Sequence, residues 1–192
     1  MEERGASKRA RDFFATRKAL ILATMNAEGR PTASIAPFVR QNNFLYVYTS
    51  GLSQHTKDFQ ETGKTSALVV EDEAGCVNPF ARKRITFSCS VVSIPRESEE
   101  WRKIMGLFEE VFKNVFFKKT SIRVFALIRP LVDFTLFRLL PHEAIYVEDF
   151  GKAFQMTADL RNPVHLRGTG PGASPLKRPE RTPPFDVSRR KI

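Results

Sequence analysis

Cysteine is scarce in this chain, with two in 192 residues. Cys76 and Cys89 have no zinc-ligand spacing, and one pair is too few for a disulfide-built scaffold. Both read as free, buried thiols in a reducing compartment. Tryptophan is single, and tyrosine and histidine number three each. No apolar run approaches the ~20 residues that a membrane-crossing helix needs. The N-terminus is polar and charged and has no signal-peptide core. The expectation is a cytoplasmic protein without a membrane partner. A phosphate-binding P-loop, a dinucleotide fingerprint and a nucleophile elbow are also missing. The glycines of Gly168–Gly172 precede no helical pattern and read as a linker.

What is present is phenylalanine, 17 residues of it, in a chain that is 42% hydrophobic. That is enough for one ordinary core. The net charge of +10 raises a nucleic-acid partner. Its distribution argues against one. The last 22 residues, Pro171–Ile192, hold six Lys/Arg against two acids, and the rest of the excess is spread along the body. A small anionic ligand accounts for local cations equally well.

Hydrophobic patterning predicts a helix over 4–18 and a strand over Ala19–Met25. A turn at Asn26–Gly29 leads to a return strand over Thr32–Val39, and a third strand covers Phe44–Tyr48. A short helix opened by a Ser53 cap spans 53–60. Strands are expected over Thr65–Glu71 and Ile85–Ile94, and a helix over Ser98–Phe116 with apolar 3–4 spacing. Two further strands, Phe134–Leu139 and Glu143–Val147, flank Pro141. Phe150–Met156 adds a last short strand or turn. Many short strands with few helices predict a mostly antiparallel β-barrel with added helices. Residues 1–168 form this domain, and 169–192 read as a basic, Pro-rich flexible tail.

Two stretches carry candidate chemistry. In Phe80–Phe87, Arg82, Lys83 and Arg84 run into an alternating strand, which sets Arg82 and Arg84 on one face and Lys83 on the other. Cations there suit a phosphate or a carboxylate. In Thr49–Lys57, Thr49, Ser50, Ser53 and His55 converge on a helix N-terminus, which suits an anion. A capped strand-to-helix loop is the plainer account of the same residues. Asp133 stands between apolar neighbours, the setting of an acid that orients a histidine or arginine. His142 reads as structural.

Read in order, these pieces resemble the HugZ/HutZ haem-utilisation family, within the FMN-binding split β-barrels related to pyridoxamine phosphate oxidase. The matching residues are Leu22-Ala-Thr24, Gly29-Arg30-Pro31, Ala36-Pro37-Phe38-Val39 and Ser50–His55. Glu71-Asp72-Glu73, Phe80–Phe87, Asp133–Leu139, Phe150–Gln155 and His165-Leu166 complete the set. The resemblance implies an FMN-binding split barrel, antiparallel and Greek-key-like, assembled as a homodimer with ligand at the subunit interface. It implies FMN contacts from Ser34, Thr49, Ser50, Ser53, His55 and Lys83. In the haem-degrading branch it implies Arg82, Lys83 and Arg84 at the propionates and Asp133 orienting an axial histidine.

The family's ligand histidine lies a few residues beyond the His-Leu pair, in a Gly-His context. This sequence reads Arg167-Gly-Thr-Gly-Pro171 there, and no histidine follows His165. Either His165 takes the metal-ligand role, or haem binds weakly, or haem is not the ligand. The implied cofactor is therefore haem or FMN. The implied function is haem binding and degradation in iron utilisation. The alternatives are a flavin oxidoreductase and a non-catalytic haem or flavin binder.

Overall fold

In the computed structural model the described residues are 2–116 and 123–166. The expected tail and the Arg167–Pro171 stretch lie outside them. Helix α1 (Glu2–Ala15) is followed by strands β1 (Ala19–Met25), β2 (Pro31–Gln41) and β3 (Phe44–Ser50), then α2 (Gln54–Thr62) and β4 (Lys64–Val70). Short 3₁₀ turns at Glu73–Gly75 and Pro79–Ala81 lead into β5 (Arg84–Ile94). Helices α3 (Glu99–Val111) and α4 (Val124–Ile128) precede β6 (Phe134–Asp149), β7 (Lys152–Thr157) and β8 (Val164–His165).

Every pairing between these strands is antiparallel. The order β3-β2-β1-β4-β5-β6 closes on itself through β3–β6, and β7 and β8 extend the sheet from β6. Strands β4-β1-β2-β3 have the spatial order of a Greek key. Closure removes the sheet edges of the six barrel strands.

Strict alternation builds this barrel. In β1, Leu20, Leu22 and Thr24 point inward and are buried, while Ala19, Ala23 and Met25 face out. The β1–β2 turn closes with the Gly29 amide on the Asn26 carbonyl at 3.0 Å. Gly29 sits at φ 82°, where a side chain would be strained.

The helices plug the barrel ends. From α1, Ala6, Ala10 and Phe14 enter the core, and the Phe14 ring stacks on Phe38 and tilts against Phe87. At the other end Phe59 of α2 meets Phe137 edge-on. A second cluster forms where Trp101, Ile104, Met105 and Phe108 of α3 cover Val39, Tyr46, Tyr48 and Leu136. Ser98 caps α3, accepting from the Trp101 amide at 3.1 Å.

Three sequence expectations are corrected. The two strands about Pro141 are one strand of 16 residues. Pro141 pairs with Cys89 and Glu143 with Ser88, so His142 is the extra residue of a bulge, which tolerates a proline lacking an amide hydrogen. Ser53 holds the N-cap position of α2, but its hydroxyl makes no capping bond. Cys89 is buried as expected, whereas Cys76 is partly exposed in the loop between the 3₁₀ turns.

Candidate functional site

The end of β3 and the start of α2 gather six of the expected site residues, Ser34 and Asp133 reaching them from β2 and the approach to β6. Thr49 is buried, and its hydroxyl lies 2.9 Å from that of Thr56. Thr56 gives its one hydroxyl hydrogen to the Ser50 carbonyl at 2.7 Å. The Ser50 hydroxyl donates to Asp133 Oδ2 at 2.8 Å and accepts from the Leu52 amide at 3.2 Å. The Gly51 amide donates to the Asp133 carbonyl at 2.7 Å. A Cβ on Gly51 would meet that same oxygen at 3.2 Å, so a glycine suits this close approach.

His55 sits in the first turn of α2. It is 7% exposed, and its Nδ1 bonds the Ser34 hydroxyl of β2 at 2.8 Å. Its Nε2 is buried with no partner among the described residues. Burial pushes the imidazole below its ordinary pKa, and the nearby Asp58 carboxylate opposes that shift. Asp58 itself is fully buried and accepts from Thr24 and Gln54. Asp58 escaped the sequence reading, although it stands three residues after His55, where a helix returns to the same face.

The basic stretch lies elsewhere and differs from its expected geometry. β5 begins at Arg84, and Arg82 ends the preceding 3₁₀ turn, so the two do not alternate along one strand. Both guanidiniums serve the backbone: Arg82 Nε donates to the Glu71 carbonyl at 2.6 Å and Arg84 Nη1 to the Arg82 carbonyl at 2.9 Å. Lys83 is exposed and lines a cavity of about 690 Å³ between α1 and the ends of β5 and β6. Arg17, Glu71, Tyr146 and Lys152 share that cavity. Sequence reasoning missed these residues because they come from four separate segments.

His165 closes the sheet in β8, opposite Phe154. Its Nε2 lies 3.1 Å from the Gly151 carbonyl, and its ring meets Phe154 edge-on. A carbonyl can only accept, so Nε2 carries the hydrogen and Nδ1 keeps its lone pair. Asp133 adjoins the first residue of β6, beside Ser50. His165 pairs through Phe154 with Tyr146 near the far end of β6. Within one chain the fold therefore brings Ser34, Thr49, Ser50, His55 and Asp133 to one region, with Ser53 at the start of the adjoining helix. It places Lys83 and His165 away from them.

The outer face of the barrel is apolar where β1 and β2 pair. Pro31, Ala33, Ile35 and Pro37 are exposed, as are Ala19, Ala23 and Met25 of β1. Ile35 is 68% exposed and Met25 52%. Ile21 joins this face and pairs onward with Leu68 of β4. Among the described residues, no helix is long and apolar enough to cross a membrane.

Comparison with known proteins agrees with this geometry. The pyridoxamine 5'-phosphate oxidase family matches residues 6–148. The chain is 34% identical over 157 residues to heme oxygenase HutZ of Vibrio cholerae serotype O1, covering 81% of this chain and 84% of that protein. Among solved structures, the crystal structure of Vibrio cholerae HutZ, described as a heme storage protein, superposes with a TM-score of 0.64 at 32% identity. That match covers 71% of this chain and 89% of the other. Campylobacter jejuni ChuZ superposes with a TM-score of 0.76 at 25% identity over 90% of this chain and 67% of its own. A closed Greek-key barrel plugged by α1 and α2, matched along most of its length by these proteins, belongs to the HugZ/HutZ haem-utilisation family of pyridoxamine phosphate oxidase-like split barrels.

Proposed function

We propose that this protein binds haem and degrades it in haem iron utilisation, acting as a homodimer. The observation that carries the reading is the 34% identity to a heme oxygenase along 81% of the chain. Bound haem would supply the iron at which oxygen is activated.

The residues present fit that group. His165 is held by the Gly151 carbonyl through Nε2, which leaves Nδ1 as a neutral donor toward a metal. Asp133 is exposed and has one oxygen engaged by Ser50. Asp133 and His165 lie toward opposite ends of β6, so a single haem served by both takes one residue from each of two chains. The apolar face of β1 and β2 supports such an assembly, since exposed contiguous apolar surface marks an interaction site. Lys83, exposed at the rim of a cavity whose lining cations and acids balance, supplies one cation for a propionate.

One observation favours a second reading, FMN at the start of α2. If Nδ1 of His55 accepts from Ser34, then Nε2 carries a buried hydrogen with no acceptor, which an anion would satisfy. The Asp133 carboxylate beside Ser50 repels a phosphate and weighs against it.

Titration of the purified protein with hemin tests the first reading. A Soret shift is expected, lost or strongly weakened in His165→Ala, with loss of the band under oxygen and a reductant. No shift in the intact protein sinks haem binding, and a shift that survives His165→Ala removes His165 as ligand. A stable band under oxygen and reductant leaves a non-catalytic binder. Quenching of FMN fluorescence that His55→Ala abolishes would move the assignment to the flavin.

A further inference from the structure

A second cavity, about 500 Å³, opens between α1 and the Asn42–Asn43 turn that joins β2 to β3. It lies at the barrel end plugged by α1, away from Ser34, His55 and Asp133. The volume falls within the range of small-ligand pockets, roughly 300–1,000 Å³. Its floor reaches Phe14, Leu45, Phe87 and Leu160, none more than 6% exposed.

The charges around it are unequally engaged. Asp12 is paired with Lys8 at 2.6 Å, and Asp159 with Arg161 at 3.3 Å. Asp159 also accepts from the Thr157 hydroxyl at 2.6 Å. The two arginines on the wall have no carboxylate partner among the described residues. Arg11 reaches only the Leu160 carbonyl, at 3.4 Å, and the Arg40 guanidinium lies over the Phe14 ring at 5.0 Å. Each acid holds an ion-pair partner, and the two arginines keep open donors. The side-chain amides of Asn42 and Asn43 add neutral donors and acceptors.

We propose that this cavity is a second small-molecule site, one that takes an organic carboxylate with an apolar, ring-sized body. The apolar body displaces water from the Phe14, Leu45, Phe87 and Leu160 floor. The carboxylate meets Arg11 and Arg40, whose planar forks match its two oxygens. The haem reading uses none of these residues, and the inference does not depend on it.

Titration of the ¹⁵N-labelled full chain with 3-phenylpropanoate, followed by two-dimensional NMR, tests this. Shifts are expected at Asn42, Asn43 and Leu45 and over Ala158–Leu160. The neutral 3-phenylpropan-1-ol should bind at least ~10-fold more weakly, since a hydrogen bond to a charged group is worth more than one to a neutral group. Arg11→Met combined with Arg40→Met, both at exposed positions, should weaken the carboxylate by a similar factor and leave the hemin titration unchanged. The proposal is overturned by equal affinity for the alcohol, by shifts confined to other regions, or by no shift up to the solubility of the acid. The first comparison needs only the unmodified protein, so it stands whatever the variants do.

Discussion

The Ser50 hydroxyl donates to the Asp133 carboxylate at 2.8 Å, tying the last residue of β3 to the start of β6. The same hydroxyl accepts from the Leu52 amide, so Ser50 organises the turn into α2 as well as the acid. Ser50→Ala should cost about 0.5–1.5 kcal/mol, the net worth of a partly exposed hydrogen bond. Urea denaturation measures it. A loss matched by Asp133→Ala, and not increased in the double variant, would show that the two act as one unit.

Gly51 packs its α-carbon beside the Asp133 backbone. Gly51→Ala forces a contact of 3.2 Å with a main-chain oxygen, which must yield by a few tenths of an ångström. The expected result is a modest loss of stability and weaker hemin binding, because Asp133 moves with that backbone. Thermal melting and the hemin titration read the two effects separately.

His55 should make stability pH-dependent. Burial holds its folded pKa below the ordinary value of about 6.5. As pH falls through 6.5 the unfolded chain takes up a proton first, so stability declines until the folded imidazole also protonates. His55→Asn should remove that part of the slope below pH 6.5. Chemical denaturation at a series of pH values checks it, and an unchanged slope would assign the dependence to other groups.

The two thiols should behave differently. Burial raises Cys89 to about 12, while Cys76 is partly exposed in the loop before β5. Only the thiolate is nucleophilic. One equivalent of a thiol reagent should react in the native protein, and Cys76→Ser should abolish it. Both thiols should react in denaturant.

Ile35 stands in the middle of the exposed face of β2, opposite Ile21 of β1. If the proposed homodimer forms through this face, the intact protein should sediment as a dimer and Ile35→Asp as a monomer with weaker hemin binding and an unchanged far-ultraviolet spectrum. Sedimentation at matched concentrations decides it. A dimer that survives the charge would place the interface elsewhere.

Much of the barrel was legible because its strands are half-buried, so Leu20, Leu22 and Thr24 alternate with outward residues as a period of two requires. β6 was misread because Pro141 looks like a break, and only its pairing with Cys89 across a bulge shows that the ladder absorbs it. α4 was missed because Val124–Ile128 is a short apolar run; its Phe125 finds a role only against Tyr48 and Phe108. In the site, the hydroxyl cluster was readable because Thr49–His55 is contiguous in sequence. The partners of Lys83 were not, because Arg17, Glu71 and Tyr146 are brought to it by three different elements.

Closure of the barrel through β3 and β6 has a kinetic consequence. Leu45 pairs with Leu139 and Tyr46 with Arg138, residues separated by nearly half the chain. β1, β2 and β3 can zip as local hairpins within microseconds, whereas the closing ladder carries the loop entropy of everything between. A high contact order of this kind slows folding into the range of milliseconds to seconds. With closure as the rate-limiting event, Val47→Ala or Phe137→Ala should slow refolding and leave unfolding nearly unchanged, so the seam sets how quickly the folded molecule forms.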